Sequence, residues 1–364
     1  MDWFAANTHH WDEWTVAQLV EAKGSQRVSL VVPARNEAGT VGDVVTRVRE
    51  ALVDTAALLD EIVVIDSDST DDTYAVAADA GAVVHRSAEI RPDLGSVPGK
   101  GEAMWKSLFV TRGDLIVFMD ADLVDWDTHF VPGLLGPLLT RPDISLVKGF
   151  YERPGESGSS LDGGRVTELV ARPLIALDHP ELAGLVQPLA GEWAVRRSLF
   201  ETLPVPTGYA VELAALVDTA AAVGVGAIAQ VDLGRRAHSH QELLDLGAMA
   251  TQILAAIQRR SAAGRAGERQ RAESRPGEPG GGGGHGGLPG AGVSTRIGAG
   301  APRGSTDGGP AAGAPRGSTD GGVVALRQYH PRDGQIVPVD RSVLVGERPP
   351  AITVSRQARP SQAS

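Results

Sequence analysis

The 364-residue chain has no cysteine, which excludes disulfides, zinc–thiolate centres and cysteine nucleophiles and agrees with a reducing, cytoplasmic setting. It has no basic stretch followed by an apolar core at its Met-Asp-Trp-Phe start, so no signal peptide is expected. It also lacks an apolar run of the roughly 18 residues a membrane span requires. The nearest candidate, Ala210 to Leu233, is interrupted by Glu212, Asp218 and Asp232. Nor is there an excess of positive charge. The net charge is -11 and the pI about 5.3, whereas a grip on a long polyanion needs a basic face that releases counterions. Nucleic acid is thereby excluded as an expected partner. Small phosphorylated ligands are not, because a few local cations and backbone N–H groups hold them.

Hydrophobic residues make up 42% of the chain, ample for a buried core, but they are unevenly spread. Residues 1–26 carry Trp3, Phe4, Trp11, Trp14, Val16, Leu19 and Val20 among polar positions, a spacing that predicts one or two amphipathic helices packed on the main domain. From Val28 onward, short apolar runs alternate with helical stretches. Strands are expected at Val28–Pro33, Glu61–Asp66, Ala82–His85 and Asp114–Asp120, with helices over Val41–Val48, Thr73–Ala80 and Gly101–Val110. Strands apolar throughout and separated by helices belong to parallel sheets covered on both faces, so the fold class is α/β. After Ser261 the composition changes. Residues 262–322 are rich in Gly, Ala, Arg, Pro and Ser, and the unit Gly-Ala-Pro-Arg-Gly-Ser-Thr-Asp-Gly-Gly occurs at 300–309 and 313–322. So little apolar surface cannot offset ordering entropy, and a flexible linker is expected. Residues 323–364 regain apolar positions up to Val354 around the turn signal Arg332-Asp-Gly334, as a small hairpin arm would. The expected organisation is therefore a helical segment 1–26, an α/β domain 27–261 whose two halves, 27–122 and 123–261, divide just after the fourth strand, a linker 262–322 and an arm 323–364.

In parallel α/β sheets, ligands bind beyond the carboxyl ends of the strands. Three such ends carry polar residues here: Val32-Pro-Ala-Arg-Asn-Glu37, Asp66-Ser-Asp-Ser-Thr-Asp-Asp72 and Asp120-Ala-Asp122. None is the G-x-G-x-x-G of a dinucleotide fold, which disfavours an NAD enzyme. A D-x-D pair at a strand end presents hard oxygens to a divalent cation. Such a cation can bridge a diphosphate and neutralise the charge on a departing nucleoside diphosphate.

These loops, together with Pro98-Gly-Lys-Gly101, resemble those of the GT-A glycosyltransferases. Gly163-Gly-Arg-Val-Thr-Glu168, Gln187-Pro-Leu-Ala-Gly-Glu192, Gly208-Tyr-Ala-Val-Glu212 and Arg236-Ala-His238 narrow the resemblance to the glucosyl-3-phosphoglycerate synthases and their mannosyl relatives. It covers about residues 26–258. The resemblance implies a GT-A fold, a Mg2+ or Mn2+ cofactor, retention of configuration, a homodimer, a nucleotide-sugar donor and a small phosphorylated acid as acceptor. It places Pro33, Ala34, Arg35, Glu37, Ser67, Lys100, Asp120 and Ala121 at the nucleotide sugar. Gly164, Arg165, Val166, Thr167, Leu189, Tyr209, Arg236 and His240 fall at the acceptor. Asp122 and His238 are expected on the metal, and Glu212, Lys100 and Asp122 in the catalytic group. Arg165 offers a planar fork suited to phosphate and Arg236 a cation for a carboxylate. Relatives are expected to carry Asn where this chain has His240, a departure that bears on acceptor contacts.

The expected reaction is glucose transfer from UDP-glucose to 3-phosphoglycerate. GDP-mannose as donor, or a polyprenyl phosphate as acceptor, would suit the same fold, though a lipid acceptor usually accompanies a membrane segment or basic anchor. His9, His10, His129 and His179 are expected to be structural.

Overall fold

The computed structural model describes residues 2–152, 164–235, 243–273, 322–332 and 335–354. Its strands are β1 (Thr8–His10), β2 (Val28–Ala34), β3 (Glu61–Asp66), β4 (Val83–Arg86), β5 (Leu115–Phe118), β6 (Leu146–Glu152), β7 (Trp193–Arg196), β8 (Val205–Pro206), β9 (Ile228–Arg235), β10 (Val323–Arg332), β11 (Gln335–Leu344) and β12 (Glu347–Arg348). Its α-helices are α1 (Trp3–Asn7), α2 (Val16–Lys23), α3 (Val41–Val48), α4 (Thr73–Asp79), α5 (Lys100–Ser107), α6 (Phe130–Thr140), α7 (Arg172–Asp178), α8 (Arg197–Phe200), α9 (Val211–Val223) and α10 (Leu243–Glu273).

The central sheet runs β1-β9-β6-β7-β5-β2-β3-β4. Strand β7 is antiparallel to both neighbours and every other pairing is parallel. All four residues of β5 are buried because helices cover both faces. Its side chains alternate: Leu115 and Val117 join the core beneath α3 and α6, while Ile116 and Phe118 join the core beneath α5, α9 and α10. Helix α3 buries Val41, Val44, Val45 and Val48, the i, i+3, i+4, i+7 stripe expected of it.

The N-terminal segment corrects one expectation. Helices α1 and α2 form, but Thr8–His10 between them becomes an edge strand parallel to β9, in register Thr8↔Gln230. The Gln230 amide donates to Thr8 Oγ1 at 2.9 Å and the Asn7 amide to Ile228 O at 2.8 Å. Three residues show no periodicity, so only the partner strand reveals this one. Downstream, Trp11 stacks on His129 with ring centroids 4.1 Å apart. A ring nitrogen of His129 lies 2.9 Å from Leu233 O, in keeping with a structural role.

At the other end, β10 and β11 form an antiparallel ribbon from Val323↔Leu344 to Arg332↔Gln335; the turn between them lies outside the described residues. Strand β12 pairs antiparallel with β8. The chain divides into two compact units, residues 1–261 with 317–364, and residues 262–316. Among the described residues no helix is long and apolar enough to cross a membrane.

A Cβ at Gly136 of α6 would lie 2.1 Å from Trp14 Cε3. Gly136→Ala should therefore cost a net of about 1–2 kcal/mol, because overpacking outweighs the gain of about 1 kcal/mol in helix propensity. Urea unfolding checks this; an unchanged midpoint would show that Trp14 docks loosely.

Candidate active site

The chain runs outward from β2 through β3 to β4, then returns to the other side of β2 as β5. A crevice opens at the carboxyl ends of strands where the order reverses. The loops that follow β2 and β3 are tied to each other across it. Ser67 N donates to Ala34 O at 2.9 Å, Asn36 N to Ser69 Oγ at 2.9 Å, Thr70 N to Asn36 Oδ1 at 2.8 Å and Glu37 N to Thr73 Oγ1 at 2.8 Å. Asn36 turns the chain at φ 58°, a left-handed conformation its short polar side chain tolerates. The lattice sets Pro33, Ala34, Arg35, Glu37 and Ser67 together. Ala34 and Ser67 are buried and Arg35 is exposed.

Facing these loops is a charge cluster. The Lys100 ammonium lies 2.5 Å from Asp120 Oδ1 and 2.8 Å from Glu212 Oε1. Desolvation alone would lower its affinity for the proton, but Asp120 and Glu212 override it and hold Lys100 well above its ordinary 10.5. Glu212 sits in the first turn of α9, where the helix dipole favours a carboxylate. The glycines flanking Lys100 have a steric reason. A Cβ at Gly99 would lie 2.1 Å from Thr207 O, and one at Gly101 would lie 1.8 Å from Pro206 O. The start of α5 thus packs backbone to backbone against residues 206–208, with Gly101 N donating to Gly208 O and Glu102 N to Thr207 O. A Cβ at Gly191 would lie 2.0 Å from Asp120 Oδ2, so that loop backs the carboxylate directly.

Beneath the cluster lies a residue the sequence reading passed over. Lys148 on β6 is buried, its ammonium bonded to Ala190 O and set over the Trp193 ring at 5.6 Å. Desolvation brings its pKa down from 10.5 to about 7, against the pull of Glu212 and with the repulsion of Lys100. The signal was a lysine inside the apolar strand Leu146-Val-Lys148, in a chain with only four lysines.

Glu37 carries the opposite strain. Desolvation, then the charges of Asp122 and Asp120, raise it from 4.5 to about 7. Asp120 and Asp122, whose charges act on Glu37, offer the hard oxygens that a divalent cation takes, so these residues fit Mg2+ or Mn2+. Among the described residues no group of three ligands is already assembled. The expected ligand His238 lies outside the described residues, with Arg236 and His240. Ala121 is buried beside the pair.

Of the expected acceptor residues, Tyr209 lies 44% exposed within the electrostatic reach of Lys100, Asp120, Glu212 and Asp122. Its N–H donates to Gln252 Oε1 at 3.0 Å. Leu189 is half-buried two residues before Gly191. Gly164, Arg165, Val166 and Thr167 lead into α7, with Gly164 at φ 104°, Arg165 exposed, and Val166 and Thr167 buried.

A mostly parallel sheet with acidic strand tips and a lysine between them suits a nucleotide-sugar glycosyltransferase, and residues 29–203 match the family described as Glycosyl transferase family 2. A glucosyl-3-phosphoglycerate synthase of Mycolicibacterium smegmatis is 49% identical over 68% of this chain and 83% of its own length. One of Petrotoga mobilis is 44% identical over 69% and 79%. A crystal structure of the Mycobacterium tuberculosis synthase with Mn2+, uridine diphosphate and glucosyl-3-phosphoglycerate superposes with a TM-score of 0.72 at 36% identity, covering 95% of this chain and 98% of that one. Another, with Mn2+, UDP-glucose and phosphoglyceric acid, gives 0.65 at 45% identity over 70% and 87%. The chain belongs to the glucosyl-3-phosphoglycerate synthase family.

In the metal-free protein Glu37 makes a pH signature. Below about pH 4.5 it is protonated whether folded or not. Between 4.5 and 7 the folded chain keeps a proton the unfolded chain has lost, so stability falls as pH rises through that window. Glu37→Gln should therefore raise Tm above pH 7 and have little effect near pH 4. An equal shift at both pH values would show that Glu37 is not under this strain.

Proposed function

We propose that the chain transfers glucose from UDP-glucose to 3-phosphoglycerate, giving glucosyl-3-phosphoglycerate, with Mg2+ or Mn2+ as cofactor. The observation that carries the reading is Lys100 held between Asp120 and Glu212, beside Glu37, whose carboxyl is raised by burial and by the charges of Asp122 and Asp120, in a chain of this family.

Pro33, Ala34, Arg35, Glu37 and Ser67 receive the base and ribose, because their loops are already cross-bonded into one wall. Asp122, with His238, holds the metal, and Asp120 reaches both metal and ribose. Bound there, the cation supplies neutralisation of the diphosphate as it departs. Lys100 contributes a cation at the same oxygens. Both Asp120 and Glu212 fix its position, so little reorganisation accompanies charge development. Arg165 and Thr167 take the acceptor phosphate, Arg236 its carboxylate, and Leu189, Tyr209 and His240 its flanks. Glu212 orients the reacting hydroxyl against the sugar. Because Lys100 already engages Glu212 and Asp120, neither carboxylate stands apart as a nucleophile on the far face. That supports attack from the leaving-group side with retention.

Exposed apolar residues on the β10–β11 ribbon, Val323 and Tyr329, support a homodimer. The absence of cysteine and the chemistry of the substrates support a cytoplasmic site of action.

The test pairs UDP-glucose, GDP-glucose and GDP-mannose with 3-phosphoglycerate, with and without Mg2+, and detects free nucleoside diphosphate. UDP release should require UDP-glucose, acceptor and metal together, and faster turnover with GDP-mannose would overturn the donor assignment. Asp122→Ala should lower kcat at least about 100-fold while leaving Tm within a few degrees; full activity would remove the metal assignment.

A further inference from the structure

The last described segment of the chain folds back on the helix that carries Lys100. Arg348 is buried, and its guanidinium grips the buried Glu102 carboxylate with two bonds, Nε to Oε2 and Nη2 to Oε1, each 2.6 Å long. Two further donors are used as well, Nη1 on Leu94 O at 2.9 Å and Nη2 on Gly95 O at 3.3 Å. The guanidinium lies over the Trp105 ring at 5.1 Å, and Trp105 Nε1 donates to Pro349 O at 2.8 Å. Glu102 is two residues from Lys100, in the first turn of α5.

The same segment holds the neighbouring loop. Thr207 N donates to Gly346 O at 3.0 Å, and β12 pairs with β8 at Glu347↔Pro206 and Arg348↔Val205. Gln252 joins the two through its amide, accepting from Tyr209 N at 3.0 Å and donating to Leu344 O at 3.0 Å. Arg260 ties Glu347 to Asp218 of α9, at 2.7 and 2.6 Å. Residues 344–349 therefore grip the three elements that present Lys100, Tyr209 and Glu212.

We propose that Arg348 is a positioning residue for glucosyl transfer. Acting through Glu102, it fixes the start of α5 and so aims the Lys100 ammonium between Asp120 and Glu212. The C-terminal segment is on this reading a working part of the transfer site. The physical reason for an ion pair here is directional. Apolar side chains of similar volume would stabilise a buried contact as well or better, whereas a bidentate pair fixes rotation and register. Among the described residues the other ionic partner of that carboxylate is Lys106, at 3.7 Å, whose ammonium cannot supply a planar fork.

The inference rests on the proposed reaction and is tested with it on the full chain. Wild type, Arg348→Met, Arg348→Lys and the double variant Glu102→Leu with Arg348→Met are compared by Tm and by kcat and KM for UDP-glucose and 3-phosphoglycerate, well below all unfolding temperatures. Arg348→Met and Arg348→Lys should lose about 10- to 100-fold in kcat, as small misplacements of reacting groups do, with each KM within about 3-fold. The double variant removes both members of the pair and leaves Lys106 its carbonyl partners Ser87 O and Gly95 O, so its Tm should lie above that of Arg348→Met while its kcat stays low. If kcat recovers together with Tm in the double variant, or stays at wild-type level in Arg348→Lys, Arg348 is a clamp on the fold only and the proposal is overturned. Should Arg348→Met fail to fold, the other two variants still decide. Failure of the wild type to transfer glucose to 3-phosphoglycerate would overturn the substrate reading instead, and the same variants are then compared on UDP release by hydrolysis of UDP-glucose.

Discussion

The Lys100 ammonium between Asp120 and Glu212 is the contact around which the rest is arranged. Burying charge is costly unless it is paired, and this molecule concentrates carboxylates at the tips of β2, β5 and the start of α9. One lysine satisfies two of them at 2.5 and 2.8 Å. A second, Lys148, sits beneath with its proton loosened by burial. Glu37 is left under burial and the combined charge of Asp122 and Asp120. A carboxylate under that repulsion is one a nearby divalent cation would relieve, in keeping with the proposed reaction.

Holding that balance requires close backbone approach, and the fold provides it. Gly99 and Gly101 let the start of α5 touch the carbonyls of Thr207 and Pro206, and Gly191 lets its loop lie against the Asp120 carboxylate. A side chain at any of these positions would move a charged group relative to its partners. Hydrogen bonds between the loops after β2 and β3 fix the opposite wall. Both ends of the described chain add to this frame. The N-terminal β1 extends the sheet along β9, and residues 344–349 bind α5 and the loop before α9.

Much of this was legible in the residues. Helix α3 announces itself through Val41, Val44, Val45 and Val48, and β3 and β5 through uninterrupted apolar runs. The positions of Glu37, Asp66, Asp120 and Asp122 follow, because a polar cluster directly after a buried strand must lie at the sheet's carboxyl edge. What escaped was of another kind. Strand β1 is three residues long and has no pattern of its own. Lys148 reads as an interruption in a strand until its carbonyl and ring partners are seen. Arg348 looks like one arginine among many near a turn, and its partner Glu102 is 246 residues away.

The sequence by itself determined the α/β class, the first four strands of the domain that begins at residue 27, β2 to β5, and the acidic loops at the carboxyl ends of three of them. Those depend on periodicity and local composition, which are properties of neighbouring residues. Only the tertiary structure decided which carboxylates Lys100 joins, why glycines flank it, and that the C-terminal segment closes on its helix. Those are contacts between residues far apart in the chain. Their energies come from burial and from mutual distance, and neither quantity exists until the chain has folded.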